Sequence, residues 1–200
     1  MTEMNVPKKI PVKKIYTAAE FFKFTKNKET RHELIGGTIH MMASPSVTHQ
    51  DICRKICRKL EDFSEGKSCR VFMAPLDVVL FEKDKTKKSK YTRDAAQNVF
   101  QPDVFVVCSP KKISENKING APDFIIEVVS TATALNDYVY KLKAYMEYGV
   151  CEYWIVNPVT KKVLVYTKNK ETLETCEYTF EDTVKSAVLD GFETDFRLIK

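Results

Sequence analysis

The run DFIIEVV at residues 123 to 129 sets the strongest constraint on how this chain folds. β-Branched and aromatic residues in an unbroken row form a strand whose faces are largely covered. The run DVFVV at 103 to 107 has the same character. A polar linker joins the two, with Asn119-Gly120 near its end, so they are expected to be neighbours in one sheet. Glu127 interrupts the second run. Alternation along a strand sets it on the face of Ile125 and Val129, where a bare carboxylate is expensive. Such a group must be paired, protonated or bound to a cation.

Asp103 opens the first run, after Gln101-Pro102. If the runs pair antiparallel, the start of one lies beside the end of the other, and Asp103 comes near Glu127. Two carboxylates so placed repel each other and raise one pKa unless a cation lies between them. Hard oxygen donors suit Mg²⁺ or Mn²⁺. Taken singly, an Asp at a strand start and a Glu paired with a core Arg or Lys are more economically structural; the pair shifts that balance. Further on, Asp137 and Lys141 are four apart and share a helix face. They read either as a surface ion pair or as a group aimed at the metal site by a helix packed across its strand, and spacing does not choose.

The remaining chain supplies a frame for these residues. Thr17 followed by Glu20 is a capping box leading into Phe21, Phe22 and Phe24, which predicts a short first helix. Leu34 to Met42 reads as a strand turned at Gly36-Gly37. From Ser46 to Phe63, Ile52, Ile56, Leu60 and Phe63 recur at helical spacing with Arg54, Lys55, Arg58 and Lys59 interleaved, an amphipathic helix with a basic side. Strands follow at Arg70 to Met73 and Asp77 to Phe81, then a long, charge-dense loop at 82 to 98. Leu135, Val139, Leu142, Tyr145 and Met146 predict a helix from Thr133 to Tyr148, ended by Gly149. EYWIVNP, VLVYT and CEYTF read as three more strands.

Length and composition favour one domain over residues 15–200, preceded by a flexible basic arm at 1–14. Lys and Arg outnumber Asp and Glu by 20 to 12 in residues 1 to 100 and are outnumbered 12 to 15 in the rest, from totals of 32 and 27. A basic first half can face a polyanion, or merely solvate helices and loops. No apolar stretch approaches signal-peptide or membrane-span length, so the expectation is a cytoplasmic protein without a membrane partner. Six scattered cysteines (53, 57, 69, 108, 151 and 176) form no compact framework and are expected to be reduced, mostly buried thiols. His40, His49, Cys53 and Cys57 lack CxxC or HxxxH spacing, so zinc is not expected.

RHELIGGTIHMMASPSVTHQ, QPDVFVV, PDFIIEVVS and DYVYKLKAYMEYGVCEYWIVNP together resemble a widespread group of restriction-endonuclease-like proteins of the PD-(D/E)xK superfamily. The resemblance runs from about Tyr16 to the C-terminus and is most specific in the last block. It implies an α/β (α+β) fold, a central mixed β-sheet flanked by helices, in which adjacent strands hold an Asp and a Glu that bind one or two Mg²⁺ for phosphodiester hydrolysis. Asp103 and Glu127 match those two positions. Glu33 resembles the further acidic residue that an N-terminal helix often supplies. The lysine expected two residues after Glu127 is Val129 here, and Lys141 stands where the family's lysine has migrated to the following helix. His49 and Gln50 match a family position at the start of the basic helix. Asp77 falls where the family is often acidic, though a structural role serves it equally.

The resulting expectation is a Mg²⁺- or Mn²⁺-dependent endonuclease acting on nucleic acid, foremost DNA. Glu33, Asp103 and Glu127 are its metal ligands, and Lys141 positions the attacking water. His49, Gln50 and Arg54 are candidates for contacting substrate. Double-strand cleavage would suit a homodimer presenting two sites. The alternatives are cleavage of RNA or of branched or single-stranded DNA, and an inactive nucleic-acid-binding or interaction module with the same fold.

Overall fold

The computed structural model describes residues 14–81, 96–130, 133–170 and 172–199. Apart from Lys14, the expected N-terminal arm lies outside the described residues, as does most of the charge-dense loop.

The capping box forms as expected. Thr17 accepts from the Glu20 backbone, Glu20 accepts from the Thr17 backbone, and α1 runs Ala18–Thr25. Strands β1 (His32–Ile35) and β2 (Thr38–Met41) make a hairpin whose turn residues Gly36 and Gly37 both have positive φ, 53° and 76°. Any Cβ at Gly37 would also collide with Ile15, so the turn needs glycine on two counts. Helix α2 (Val47–Ser64) follows, capped by Ser46, and presents Ile52, Cys53, Ile56, Cys57 and Leu60 as one buried face.

Two large sheets result, and each is mixed. Strands β3 (Arg70–Met73), β4 (Asp77–Leu80), β5 (Asn98–Phe100), β6 (Val104–Val107), β7 (Lys117–Asn119) and β8 (Phe124–Val128) lead to a helical segment. After it come β9 (Glu152–Asn157), β10 (Lys162–Asn169), β11 (Thr172–Thr179) and a small ribbon of β12 (Thr183–Lys185) with β13 (Glu193–Asp195). The six-stranded sheet has the order β11-β10-β9-β8-β6-β3, with β8 and β9 parallel. The five-stranded sheet has the order β2-β1-β5-β4-β7, with β4 and β7 parallel. Strand β5 begins at the last residue of the segment read from sequence as a loop, and β7 falls in the linker.

Alternation along β6 and β8 sorts the core into two sides. Val104, Val106, Phe124, Ile126 and Val128 pack with α2 and the C-terminal segment, including Phe180, Phe192 and Phe196. Phe105, Val107, Ile125 and Val129 pack with Tyr145 and with Ile35, Val78, Leu80 and Phe100 of the five-stranded sheet. On that sheet's far side, Leu34, Val79 and Val99 meet Ala18 and Phe21 of α1.

Two sequence expectations need correction. Cys69 and Cys108 form a disulfide. They flank β3 and β6, which pair antiparallel with Arg70 opposite Val107, so the register sets the two cysteines opposite each other. The remaining four are free, Cys53 and Cys57 buried as expected, Cys151 partly covered and Cys176 exposed. The helix after Ser130 is also not a uniform α-helix. Asn136–Lys141 is π-helical and passes into α3, Leu142–Tyr148, which ends at left-handed Gly149. In the first part the expected faces are exchanged: Leu135 and Val139 are 62% and 50% exposed, whereas Asp137 and Lys141 are 2% and 3% exposed.

Candidate active site

The two apolar runs pair antiparallel with Val104 opposite Ile126, which carries Asp103 to the place opposite Glu127. The Asp103 amide donates to Glu127 Oε2 at 3.3 Å, and the Val128 amide donates to Asp103 Oδ2 at 2.8 Å. Each carboxyl group is thus held by a backbone amide at the end of the neighbouring strand.

Lys141 reaches this point because of the wide helical turn. Four residues overshoot one α turn of 3.6 residues by about 40°. They fall short of one turn of an i→i+5 helix, so the two drifts nearly cancel. Asp137, Lys141 and Tyr145, each four apart, therefore line up on one inward row. Lys141 Nζ lies 2.9 Å from Glu127 Oε1, 3.1 Å from Glu33 Oε1 and 3.3 Å from Asp137 Oδ1. Tyr145 Oη donates to Glu127 Oε1 at 2.9 Å.

Glu33 comes from strand β1, not from an N-terminal helix as the resemblance suggested. The Gln101 amide donates to its Oε1, and the Gln101 side chain joins Arg31 to Asp77, which gives Asp77 a structural partner away from the lysine. His49, in the first turn of α2, approaches from the other side of the sheet end. Its Nε2 donates to Asp103 Oδ2 at 3.1 Å, and its Nδ1 lies 3.6 Å from Cys53 Sγ. A carboxylate only accepts, so the neutral ring carries its proton on Nε2, leaving Nδ1 to accept from the thiol.

A cleft of about 300 Å³ opens onto Glu33, His49, Gln50, Asp103, Glu127, Asp137 and Lys141. Gln50 is exposed at its rim. Arg54 lies one turn further along α2, exposed and 2.7 Å from Asp51, outside the cleft lining. The expected residues Glu33, His49, Asp103, Glu127 and Lys141 are thus brought together. Sequence reasoning missed Tyr145, whose only signal is its spacing of four from Lys141, and set aside Cys53, which has the same spacing from His49.

Burial pushes the Glu127 carboxyl well up, with Lys141 opposing and Asp103 adding to the rise. Burial likewise raises Glu33 and Asp137 against the pull of Lys141. For Lys141 itself burial works downward, but Glu127, Glu33 and Asp137 overcome it and hold the ammonium well above its ordinary value. His49 is raised by Asp103 in spite of burial. Burial keeps the Tyr145 phenol neutral, a fixed donor.

Among the described residues, four carboxyl groups and one ammonium therefore share a largely buried cleft, an acidic excess that a divalent cation would balance. The carboxyl oxygens of Glu33, Asp103, Glu127 and Asp137 all face this cleft, hard donors of the kind that Mg²⁺ and Mn²⁺ take.

The fold has a solved counterpart. The crystal structure of a "putative nuclease belonging to DUF820" from Anabaena variabilis superposes with a TM-score of 0.70 at 17% identity, covering 90% of this chain and 96% of that one. An uncharacterized protein of Synechocystis sp. is 22% identical over 153 residues, 76% of this chain and 74% of its own length. The family model Uma2, "Putative restriction endonuclease", matches residues 18–198, the span that contains both sheets and all the cleft residues, and the chain belongs to that family.

Proposed function

We propose that this protein is a metal-dependent endonuclease that hydrolyses phosphodiester bonds in DNA. The observation that carries this reading is the cleft's composition: Glu33, Asp103, Glu127 and Asp137 around the ammonium of Lys141. Asp103 and Glu127, with Glu33 assisting, would hold Mg²⁺ or Mn²⁺. When bound, the cation supplies charge neutralisation at the phosphate and a Lewis acid beside the attacking water.

The chain's own groups do the rest. Asp103 is oriented by the Val128 amide and by His49. Glu127 is oriented by Tyr145 and Lys141. Lys141 is fixed at the cleft floor, where an ammonium orients the incoming water and offsets charge growing on the phosphoryl oxygens. The water oxygen bonds to phosphorus as the bond to the leaving oxygen breaks; the water gives up one proton to solvent and the leaving oxygen takes one from solvent. His49 and Gln50 at the rim, with Arg54 beyond it, offer contacts to the phosphate backbone.

The test is nicking or linearisation of plasmid DNA with Mg²⁺ or Mn²⁺, compared with Asp103→Asn and Glu127→Gln, which keep shape and remove charge. Both variants should lose cleavage and Mn²⁺ binding by calorimetry. Cleavage retained in the double variant refutes the assignment. Salt-dependent DNA binding without metal-stimulated cleavage would identify a binding module instead.

A further inference from the structure

We propose that His49, Cys53 and Asp103 form a second, softer cation site, taking Zn²⁺ or a similar borderline-soft ion and drawing Asp103 away from the hard-ion ligand set. His49 and Cys53 are four apart on α2 and so share a helix face. Their Nδ1 and Sγ atoms are 3.6 Å apart. That is the edge expected of a tetrahedral N–Zn–S unit, whose bonds of about 2.0–2.1 and 2.3 Å span about 3.6 Å. Asp103 supplies the third donor, and the three donor atoms lie within 4.8 Å of one another. Asp103 Oδ2 is held by the opposite ring nitrogen, Nε2, so its joining an ion on Nδ1 and Sγ breaks that hydrogen bond and swings the carboxylate round the ring edge.

Donor chemistry gives the selectivity. Imidazole with a thiolate favours Zn²⁺ or Co²⁺, whereas Mg²⁺ and Mn²⁺ prefer the all-oxygen set at Glu33 and Glu127. Entry is through the cleft, since His49 and Asp103 line it while Cys53 lies buried behind them. On binding, the Cys53 thiol gives its proton to solvent and a sulfur–metal bond forms. The acidic excess around Glu127 and Asp137 favours the incoming dication. Occupancy withdraws Asp103 from the catalytic set, so the ion inhibits. The inhibitory consequence rests on the nuclease reading; the binding does not.

The test is titration of the full chain with Co²⁺, in a background carrying Cys151→Ser and Cys176→Ser so that Cys53 and Cys57 are the free thiols left. A thiolate-to-cobalt charge-transfer band in the near ultraviolet should saturate at one equivalent and be displaced by Zn²⁺ but not by Mg²⁺. Cys53→Ser should remove the band and weaken binding at least about tenfold, and Cys57→Ser should leave both unchanged. A band that survives Cys53→Ser, or Co²⁺ binding without any band, overturns the proposal and leaves the three residues as a hydrogen-bonded relay. Should Cys53→Ser not fold, as judged by circular dichroism, His49→Gln serves: it must weaken binding and alter the visible spectrum, and an unchanged spectrum overturns the proposal. Under the nuclease reading, Zn²⁺ should also inhibit Mg²⁺-dependent cleavage by the parent protein and inhibit Cys53→Ser less. Absence of cleavage throughout would count against the nuclease reading while the spectral result still decides the site.

Discussion

Replacing Lys141 with Met keeps the buried stem and removes the ammonium from among Glu33, Glu127 and Asp137. Were the Asp137–Lys141 pair an ordinary surface pair, the loss would be about 0.3–0.5 kcal/mol. Lys141 is 3% exposed, however, and removing one partner of a buried charge cluster costs about 3–5 kcal/mol. That is a large part of the roughly 5–15 kcal/mol that holds a domain folded. The loss should depend on pH. Glu33, Glu127 and Asp137 are all raised in the folded state, chiefly by burial, so the native state binds more protons than the unfolded one. Their contribution is fully present below the unfolded values of about 4 and is lost as pH rises through the folded ones. Lys141 opposes that rise at all three. Its own stabilisation is fully present below its unfolded value and lost only as pH climbs through its raised folded value. Without it the three carboxyls rise further, and the variant's deficit should be small near about pH 4 and grow towards neutrality. Urea unfolding followed by the fluorescence of fully buried Trp154, with a chelator present, measures both ends of that range. A deficit below about 1 kcal/mol at neutral pH, or an equal deficit at both ends, would refute the central role given to Lys141.

Other consequences follow from single contacts. Tyr145→Phe keeps the ring and removes the donor to Glu127 Oε1, and should cost about 1.5–3 kcal/mol in urea unfolding; an unchanged midpoint would mean the bond contributes nothing. Glu152→Ala removes the acceptor for Trp154 Nε1, Ser186 Oγ and the Ala187 and Val188 amides. It should cost about 3 kcal/mol or more while leaving Mn²⁺ affinity, read by calorimetry, unaltered. Val129→Lys restores the lysine position of the simplest superfamily pattern, but Val129 is buried among Ile125, Tyr145 and Phe100. It should destabilise by about 3 kcal/mol or more without improving plasmid cleavage, and a gain in cleavage would show that the strand position is still usable.

The parts of the fold that were legible are those whose signals are local. The capping box at Thr17, the glycine pair at the hairpin and the left-handed stop at Gly149 each act within a few residues. Strands β5 and β7 are three residues long and sit in polar surroundings. They exist because β4 lies between them and offers hydrogen bonds on both edges, a tertiary fact that no window of sequence contains. The same holds for Cys69 and Cys108, 39 residues apart, which become partners only once β3 and β6 have a register.

For the site, the limit of sequence is clearest in the contrast between Glu127 and Glu152. Both are buried glutamates in apolar strands of the same sheet, and burial raises both. A stranded carboxylate in the sequence marks either equally well. Glu152 is satisfied by an indole, a hydroxyl and two backbone amides, all neutral donors, and serves to fasten the C-terminal segment to β9. Glu127 faces a lysine and three further carboxyl groups across a cleft. The difference lies in what arrives from elsewhere in the chain. Lys141 arrives only because Asn136–Lys141 winds as a wide turn, which brings polar residues inward and leaves Leu135 and Val139 outside, the reverse of the α-helical reading. A helix that buries its charged row and exposes its apolar one opposes the hydrophobic effect over that stretch. What offsets that cost is the attraction of one ammonium to three carboxyl groups at 2.9 to 3.3 Å, so the wide turn and the site hold each other in place.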